Sequence, residues 1–575
     1  MVFNLFFFIA FFIAFLLPNH YYPWGSFYLE FSAFVALFSV LLKISSKYDS
    51  VNVPRVLILL FFVSLLPLLQ LLISKINFFG DAISVFFYLS SFALCLMVAN
   101  FIAGENVKSK AVELIALSVL VIGIISVWLA LIQSLQLFSS PLIHNLPPHA
   151  RPYANLAQPN NYSTLIWLSI FSLYYLHEKK WIGRVGSLIC GFFLVSGAAL
   201  AQSRTSFVLL FVLIVVVLGH YVIFRSWKAD RLRFVILASS AYFFSGWAWP
   251  HINRFLFSDG VKSARLHLTD IRIDMWSSFW TAILEKPWFG YGFGQVSHAQ
   301  VAVAESYPIV GMTQYTHNLF LDLLVWIGIP LGLLIFFLIS LFWIKLLLVS
   351  DSKKGFYSLS TFSAILVHSL LEYPHAYSYF LLISGFFIGV SLFDVISLDR
   401  ISPFLRPLIN KFLRFWRHLA ISVNIPPWVL GICILIYGSF LTLAWLDYRV
   451  LEEDHRLLRF EAASIGTLKA DKKAPDVFLF NQLRAFIWVA RTHEFVYLQE
   501  GEAELIENVA RRYPMPMPIY KLAQLRVQQS RIEDAYRELL IIKHLHGDET
   551  YEASRENLAN WIDAKVESSI AESPN

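Results

Sequence analysis

The stretch AVELIALSVLVIGIISVWLALIQ (Ala111–Gln133) decides the fold class of this chain, because Glu113 is its one charged residue. About 20 mostly apolar residues are enough for a helix to cross a bilayer. Similar stretches recur along the chain and predict thirteen spans in total. The other twelve are predicted at 3–19, 26–43, 55–74, 82–103, 162–177, 185–203, 205–224, 233–250, 317–342, 356–372, 377–396 and 426–446.

The composition supports the same fold class. Of 575 residues, 57% are hydrophobic and 15% are charged, whereas soluble domains have about 45–50% apolar and about 25% charged residues. A soluble enzyme, a disordered chain and a secreted disulfide scaffold are therefore excluded. The three cysteines all lie in apolar runs, where a buried thiol behaves as a small hydrophobic group. We predict an all-α polytopic integral membrane protein with about 12–13 transmembrane helices.

Basic residues are distributed unequally between the two sets of loops. Loops that follow even-numbered spans hold twenty Lys and Arg residues, and the alternate loops hold eight. Lys and Arg in short loops mark the cytoplasmic side of a membrane protein. The N-terminus is therefore predicted to be cytoplasmic, and the C-terminal segment lies on the outer face.

The chain is predicted to have two domains. Residues 1–446 form the transmembrane domain, with outer loops at about 134–161 and 251–316, and residues 447–575 form a soluble C-terminal helical domain on the outer face. Its amphipathic segments predict helices at 501–512, 516–529, 532–545 and 550–566. One pair has the spacing of a tetratricopeptide-like hairpin, although any antiparallel helical hairpin, including a plain cap, has that spacing too.

Polar residues on the outer face form a few dense clusters. RPYANLAQPNNYST (Arg151–Thr164) offers the amides of Gln158 and Asn160, which suit hydroxyl-rich ligands, although Asn and Pro also simply make turns. Arg204 lies where two spans meet. It either reaches the lipid headgroups or binds phosphate oxygens.

The later outer loops supply further cations and two ionisable groups at span ends. Arg265 and Arg272 lie seven residues apart, so a helix would place both on one face. His317 starts a span, and Asp322 lies close enough along a helix to orient its imidazole. Glu372 ends another span, in a turn rich in tyrosine. An ionisable residue inside a span is costly and indicates a functional site.

These clusters are also the segments by which the chain resembles the bacterial protein O-oligosaccharyltransferases (PglL-type), which belong to the O-antigen ligase and polymerase superfamily. The similarity extends from about residue 20 to 395, and the C-terminal segment is similar to the periplasmic domain of the family. The motifs are HYYPWGSF (His20–Phe27), FFGDA (Phe78–Ala82), RPYANLAQPNNYST, AQSRTS (Ala201–Ser206), RIDMW (Arg272–Trp276), PWFGYG (Pro287–Gly292), THNLFLDLLVWIGIPLG (Thr316–Gly332) and HSLLEYPHAYSYF (His368–Phe380).

The resemblance implies a GT-C-like enzyme in the bacterial inner membrane, with its active site and C-terminal domain in the periplasm. It would transfer an oligosaccharide from undecaprenyl pyrophosphate to a Ser or Thr hydroxyl of a periplasmic protein such as a pilin. His317 would activate the acceptor, and Arg204, Arg272 and Arg265 would hold the pyrophosphate. The residues implied to bind substrate are Gln158, Asn160, Glu372 and Tyr377.

No cofactor, metal or nucleic acid is expected. The sequence has no HExxH pattern, no Cys/His cluster and no nucleotide-binding glycine loop. We therefore expect an inverting, metal-independent transfer, whose partners are the lipid-linked donor, the acceptor protein and membrane lipids.

Four other functions remain open at this point. An O-antigen ligase would use a lipid A core sugar as acceptor, and a polymerase of the same superfamily would extend a lipid-linked glycan. A lipid or glycan transporter would place its polar residues near the bilayer midplane, whereas here they cluster on one face. A scaffold that recruits partners through its C-terminal helices would leave Glu372 and His317 unexplained.

Overall fold

The computed structural model describes residues 2–104, 108–147, 150–226, 228–256, 271–308, 311–394, 398–465, 473–492, 495 and 498–571. Within these ranges nearly all regular structure is helical, which confirms the all-α fold class. The helices are α1 (Val2–Leu16), α2 (Phe27–Ser45), α3 (Arg55–Val63), α4 (Leu66–Leu72), α5 (Phe79–Gly104), α6 (Lys108–Leu135), α7 (Pro159–Glu178), α8 (Arg184–Leu200), α9 (Arg204–Phe224), α10 (Ala229–Leu256), α11 (Ile271–Glu285), α12 (Val296–Val303), α13 (Leu319–Val349), α14 (Lys353–Ser369), α15 (Ser378–Ser391), α16 (Arg406–Leu419), α17 (Pro427–Ala462), α18 (Asn481–Arg491), α19 (Glu502–Arg512), α20 (Pro516–Gln528), α21 (Ile532–His546) and α22 (Asp548–Ala571).

Every predicted span overlaps a helix within the described residues, and the span at 55–74 is divided between α3 and α4. Residues 395 and 396 of the span 377–396 lie outside the described residues. By length and composition, seven helical stretches in the described residues are able to cross a membrane. They are Phe27–Ser45, Arg55–Leu72, Phe79–Gly104, Lys110–Leu135, Arg204–Phe224, Leu319–Val349 and Pro427–Ala462. Three shorter apolar helices, α1, α8 and α15, accompany them. The chain is therefore a polytopic membrane protein, and the exact number of spans stays a prediction.

The chain divides into two compact units. Unit 1 comprises Met1–Ser64, Tyr88–His267 and Phe337–Leu441, and unit 2 comprises Leu65–Phe87, Leu268–Phe336 and Thr442–Asn575. The predicted boundary at residue 446 concerns membrane and soluble segments rather than compact units, and it stays a prediction.

Unit 1 is built around α7, which is buried along most of its length and packs against α6, α8, α9 and α14. It also contains a short sheet. Strand β1 (Val51–Pro54) pairs antiparallel with β2 (Ser422–Ile425), with Val51 opposite Ile425. The sheet joins the segment before α3 to the segment before α17.

Unit 2 contains the C-terminal helices α18 to α22, which pack in succession around one apolar core. Ile506, Leu522 and Leu539 are fully buried in it, and Phe78 from the start of α5 belongs to the same core. The four helices predicted from the amphipathic pattern are confirmed as α19 to α22. In the hairpin of α20 and α21 the small residues Ala523 and Ala535 are both buried.

Candidate active site

In unit 1 the side chain of Asn160 joins two of the predicted segments. Asn160 lies in the first turn of α7, where its Nδ2 donates to Glu372 Oε1 at 2.8 Å. Its Oδ1 accepts a hydrogen bond from the hydroxyl of Ser203 at 2.6 Å. Glu372 is only 3% exposed. Ser203 is the N-cap of α9 and accepts from the N–H of Thr205, so Asn160 also fixes the helix end that begins with the exposed Arg204.

Tyr373 connects two further predicted residues. It hydrogen-bonds the side chains of Gln158, which precedes α7, and Tyr377, which precedes α15. The rings of Tyr373 and Tyr377 lie 6.0 Å apart, and Tyr377 stacks on Tyr379 at 5.4 Å. Burial, and then the neighbouring Glu372, raise the pKa of Tyr373. The phenol therefore stays protonated and can donate a hydrogen bond.

The carboxylate of Glu30 is buried and anchors the first residue of α15. It accepts hydrogen bonds from Trp24 Nε1 at 3.1 Å and from the hydroxyls of Ser26 and Tyr88. It also accepts from the backbone N–H of Ser378 at 3.2 Å, and the Ser378 hydroxyl donates to the Glu30 carbonyl at 3.0 Å. Glu30 therefore fixes the residue that follows Tyr377.

Asn155, in the segment 151–164, bonds only groups of the protein. The side chain of Asn155 donates to the carbonyls of Leu16 at 2.6 Å and Leu142 at 2.9 Å, and accepts from the N–H of His144 at 3.0 Å. Asn155 is buried and holds together the loop that precedes α7. Its side chain is therefore structural, whereas that of Asn160 joins Glu372 and Ser203.

In unit 2 the backbone around His317 is tightly held. Trp276 Nε1 on α11 donates to the carbonyl of Thr316 at 3.0 Å. Asp322 Oδ1, in the first turn of α13, accepts the N–H of Thr316 at 2.8 Å. Asn318 caps α13 by accepting the N–H of Phe320 at 3.0 Å. Asp322 therefore acts on the backbone that carries the imidazole.

His317 itself adopts a left-handed backbone conformation with φ of +57°. Non-glycine residues rarely take this conformation, which costs of order 1–3 kcal/mol and is concentrated at functional sites. The side chain is half-buried. Arg272 lies in the first turn of α11, one turn before Trp276, so the helix that carries Arg272 is bonded directly to the residue before His317.

The glycine-rich turn PWFGYGFGQ (Pro287–Gln295) packs against α13. Gly290 and Gly328 allow the turn to contact α13 where that helix is kinked, because a Cβ on Gly328 would lie 2.4 Å from the carbonyl oxygen of Trp288. The N–H of Tyr291 donates to the Val325 carbonyl at 2.7 Å. This contact holds α13 at Val325, which lies eight residues after His317.

The predicted site residues thus fall into two groups. Gln158, Asn160, Arg204, Glu372 and Tyr377 belong to unit 1, and Arg272 and His317 belong to unit 2. Arg265 lies outside the described residues.

Sequence reasoning missed two connecting side chains, Ser203 and Tyr373. The Ser-Arg-Thr start of α9 is an N-cap pattern that could have indicated Ser203.

No arrangement of three or more His, Cys, Asp or Glu side chains suited to a metal ion occurs in the part of the chain that the structure describes. Metal independence stays a prediction.

Two family matches cover different parts of the chain. Residues 189–337 match the family described as O-antigen ligase, and residues 356–559 match the family described as virulence factor membrane-bound polymerase, C-terminal. The first match includes Arg204, Arg272 and His317, and the second includes Glu372 and Tyr377.

Two curated proteins of Acinetobacter baylyi are similar over most of their length. The chain is 29% identical over 557 residues to a general O-oligosaccharyltransferase, covering 93% of this chain and 90% of that protein. It is 28% identical over 481 residues to a ComP-specific O-oligosaccharyltransferase, covering 78% and 86% respectively. No solved structure matches the chain significantly.

Proposed function

Because the chain belongs to the bacterial O-oligosaccharyltransferases of the O-antigen ligase superfamily, we propose that it carries out O-linked protein glycosylation. It is a membrane-embedded glycosyltransferase with a lipid-linked oligosaccharide as donor and a protein as acceptor. The observation that carries the proposal is the imidazole of His317, held in a left-handed conformation at the start of an apolar helix. Such a costly backbone is retained where the position of the side chain matters.

The proposed donor is an oligosaccharide on undecaprenyl pyrophosphate, and the proposed acceptor is a Ser or Thr of a periplasmic protein such as a pilin. The enzyme would lie in the inner membrane, with a cytoplasmic N-terminus and with its site and C-terminal helices in the periplasm. The unequal distribution of Lys and Arg supports this orientation.

In the proposed reaction His317 removes the proton from the acceptor hydroxyl as its oxygen attacks the anomeric carbon. The attack comes from the face opposite the pyrophosphate, and the bond from that carbon to the pyrophosphate oxygen breaks. The configuration at the anomeric carbon is therefore inverted. Arg204 and Arg272, with Arg265 as a third cation, stabilise the negative charge on the leaving pyrophosphate. An imidazole suits this role because its unperturbed pKa lies near neutral pH.

We assign the linked side chains of unit 1 to the glycan. Gln158, Asn160, Glu372 and Tyr377 offer amide, carboxylate and phenol groups that bond sugar hydroxyls. Their mutual hydrogen bonds restrict each rotamer before substrate arrives. Preorganised polar groups of this kind reduce the entropy cost of binding.

O-antigen ligation is the second candidate, favoured by the match of residues 189–337 to the ligase family. The chemistry at the donor would be the same, and only the acceptor would differ. The two relatives, which align with 93% and 78% of the chain, are both O-oligosaccharyltransferases. For this reason we favour a protein over a lipid A core sugar as the acceptor.

The test is a reconstituted transfer assay with purified protein, undecaprenyl-pyrophosphate-linked oligosaccharide, a candidate pilin and excess EDTA, read by intact mass. We expect a glycan-sized mass gain in the wild type. His317→Asn removes the imidazole while tolerating the left-handed backbone, so the fold is kept and transfer falls by about 100-fold or more. His251→Asn is the matched control, because His251 is exposed at the end of α10.

The arginines are tested in the same assay. Arg204→Ala combined with Arg272→Ala should abolish transfer, whereas Arg254→Ala, at an exposed position of α10, should leave it unchanged. Near wild-type transfer by His317→Asn contradicts the role of the imidazole, and activity in the double arginine variant contradicts the pyrophosphate site. Transfer only to lipid A core would identify a ligase instead.

A further inference from the structure

Helix α16 (Arg406–Leu419) has three different faces. Ile409, Leu413 and Trp416 are spaced four and three residues apart and are buried. They pack within unit 1, where Ile409 and Leu413 share an apolar cluster with Phe224 and Leu348. This face attaches the helix to the protein.

The exposed side of α16 is half apolar and half basic. Leu408 is 69% exposed and Phe415 is 49% exposed, and their spacing of seven residues places them on one strip. Lys411, Arg414 and His418, spaced three and four residues apart, form an exposed strip beside it. The helix contains no Asp or Glu.

Within the described residues neither Lys411 nor Arg414 forms an ion pair. Two acids of the loops that precede the helix, Asp351 and Asp394, are paired with other cations. Asp351 pairs with Arg400 at 2.6 Å, and Asp394 pairs with Lys354 at 2.8 Å.

Chain connectivity places α16 at the membrane surface. It follows the apolar helix α15 and precedes α17, whose first residues open a candidate span at Pro427. Antiparallel pairing of β2 with β1 fixes the segment between α16 and α17, and the N–H of Arg55 donates to the carbonyl of Ile421 at 2.9 Å. A helix between two membrane-entering helices has little freedom to leave the interface.

We propose that α16 is an interfacial helix that binds anionic phospholipid headgroups through Lys411 and Arg414, with Leu408 and Phe415 inserted among the acyl chains. An exposed surface that is apolar on one strip and basic on the next has the polarity of the boundary between acyl chains and headgroups. Anionic headgroups would supply a counter-charge to Lys411 and Arg414, which have no ion-pair partner among the residues that the structure describes.

The test is hydrogen exchange of the peptide 404–420 in the full-length protein, reconstituted in phosphatidylcholine nanodiscs with increasing phosphatidylglycerol. Wild-type protein should show added protection of this peptide as phosphatidylglycerol increases. Lys411→Gln with Arg414→Gln should raise the mole fraction needed for half of that protection by at least about fivefold, since each basic group near an anionic surface contributes about that factor.

Arg531→Gln with Arg537→Gln, two exposed arginines of the C-terminal helices, is the matched control and should respond like the wild type. Both double variants change only exposed side chains, so equal melting temperatures in detergent will show that folding is intact. Equal protection in neutral and anionic nanodiscs overturns the proposal. Lipid-dependent protection that survives loss of both charges overturns it as well.

Discussion

His298 on α12 is a half-buried histidine with a strongly lowered pKa, so it stays neutral in the folded protein near neutral pH. Burial, followed by the nearby cations Arg512, Arg511 and Lys286, lowers its pKa to about 3. In the unfolded chain the ordinary value is 6.5. The unfolded state therefore binds more protons between pH 6.5 and pH 3, so folding stability falls as the pH is lowered through this window.

We expect His298→Phe to remove this acid sensitivity. At pH 5 the wild type should have lost about 2 kcal/mol through His298 relative to pH 8, and the variant should not lose this contribution. The measurement is the melting temperature in detergent from pH 8 to pH 5, with each protein at pH 8 as its own reference. Parallel curves for the two proteins would show that His298 does not titrate in this way.

At the scale of helices and turns, the close contact at the kink of α13 leads to a prediction for substitution of Gly328. Gly328 has φ of +77°, and an added Cβ would meet the backbone of Trp288 at 2.4 Å. Gly328→Ala should therefore lower stability by about 1–3 kcal/mol from backbone strain alone, with the steric clash in addition. Gly431→Ala on α17 is the control, because a Cβ there has open space and should be neutral or slightly stabilising.

Melting temperatures of the two glycine variants check this prediction. A Gly328→Ala protein as stable as Gly431→Ala would mean that the turn 287–295 does not pack against α13. If the turn is displaced, α13 loses a packing contact in the helix that His317 precedes, so glycan transfer should fall together with stability.

Helices were the most predictable elements, because hydropathy and amphipathic spacing are local properties. The predicted helix 516–529 is observed as Pro516–Gln528, and 532–545 as Ile532–His546. Strands β1 and β2 were not predicted, since each has four residues and its partner lies far away along the chain. No local pattern specifies such a pairing.

For the site, residue type and position at span ends drew attention to both Asn160 and Glu372, which are hydrogen-bonded to each other in unit 1. Their binding of substrate stays a prediction. The role of Asn155 in the loop could not be read from sequence. An asparagine amide has the same donors and acceptor whether it binds a ligand or bonds other groups of the protein. Which groups Asn155 bonds depends on where Leu16 and His144 lie in the folded chain.

At the scale of the whole molecule, the C-terminal helices of unit 2 connect with the start of α5 through a buried ion pair. Arg512 on α19 donates to Asp81 through Nε at 2.7 Å and through Nη2 at 3.0 Å. Asp81 raises the pKa of Arg512 above its usual range, although burial alone would lower it. Gly80, beside Asp81, donates its N–H to Asn481 of α18 at 2.8 Å.

The same helices hold the segment that leads to His317. The Ser297 hydroxyl donates to the Arg512 carbonyl at 2.8 Å. Gln300, also on α12, donates to the Gly311 carbonyl at 2.9 Å and accepts the N–H of Thr313 at 3.0 Å. The N–H of Gly311 reaches the Leu545 carbonyl at 2.8 Å. Displacement of α19 should therefore disturb the loop before His317.

Arg512→Ala should consequently reduce both stability and transfer. Removing one partner leaves the Asp81 carboxylate buried without its cation, which costs about 3–5 kcal/mol. Exchanging the charges, with Asp81→Arg and Arg512→Asp together, should recover part of the stability and part of the glycan transfer, because the ion pair is then restored with the opposite polarity. The matched control is the exchange of Glu453 and Arg456, an exposed pair whose expected effect is below about 1 kcal/mol.

Two readouts separate stability from function: the rate of proteolysis within 473–571, and transfer at saturating donor and acceptor. Faster proteolysis together with reduced transfer in Arg512→Ala means that the C-terminal helices support the loop before His317. Unchanged transfer despite faster proteolysis would show that this loop keeps its position without them. Since the exposed control pair carries the same two charges, burial is the property that distinguishes the two exchanges.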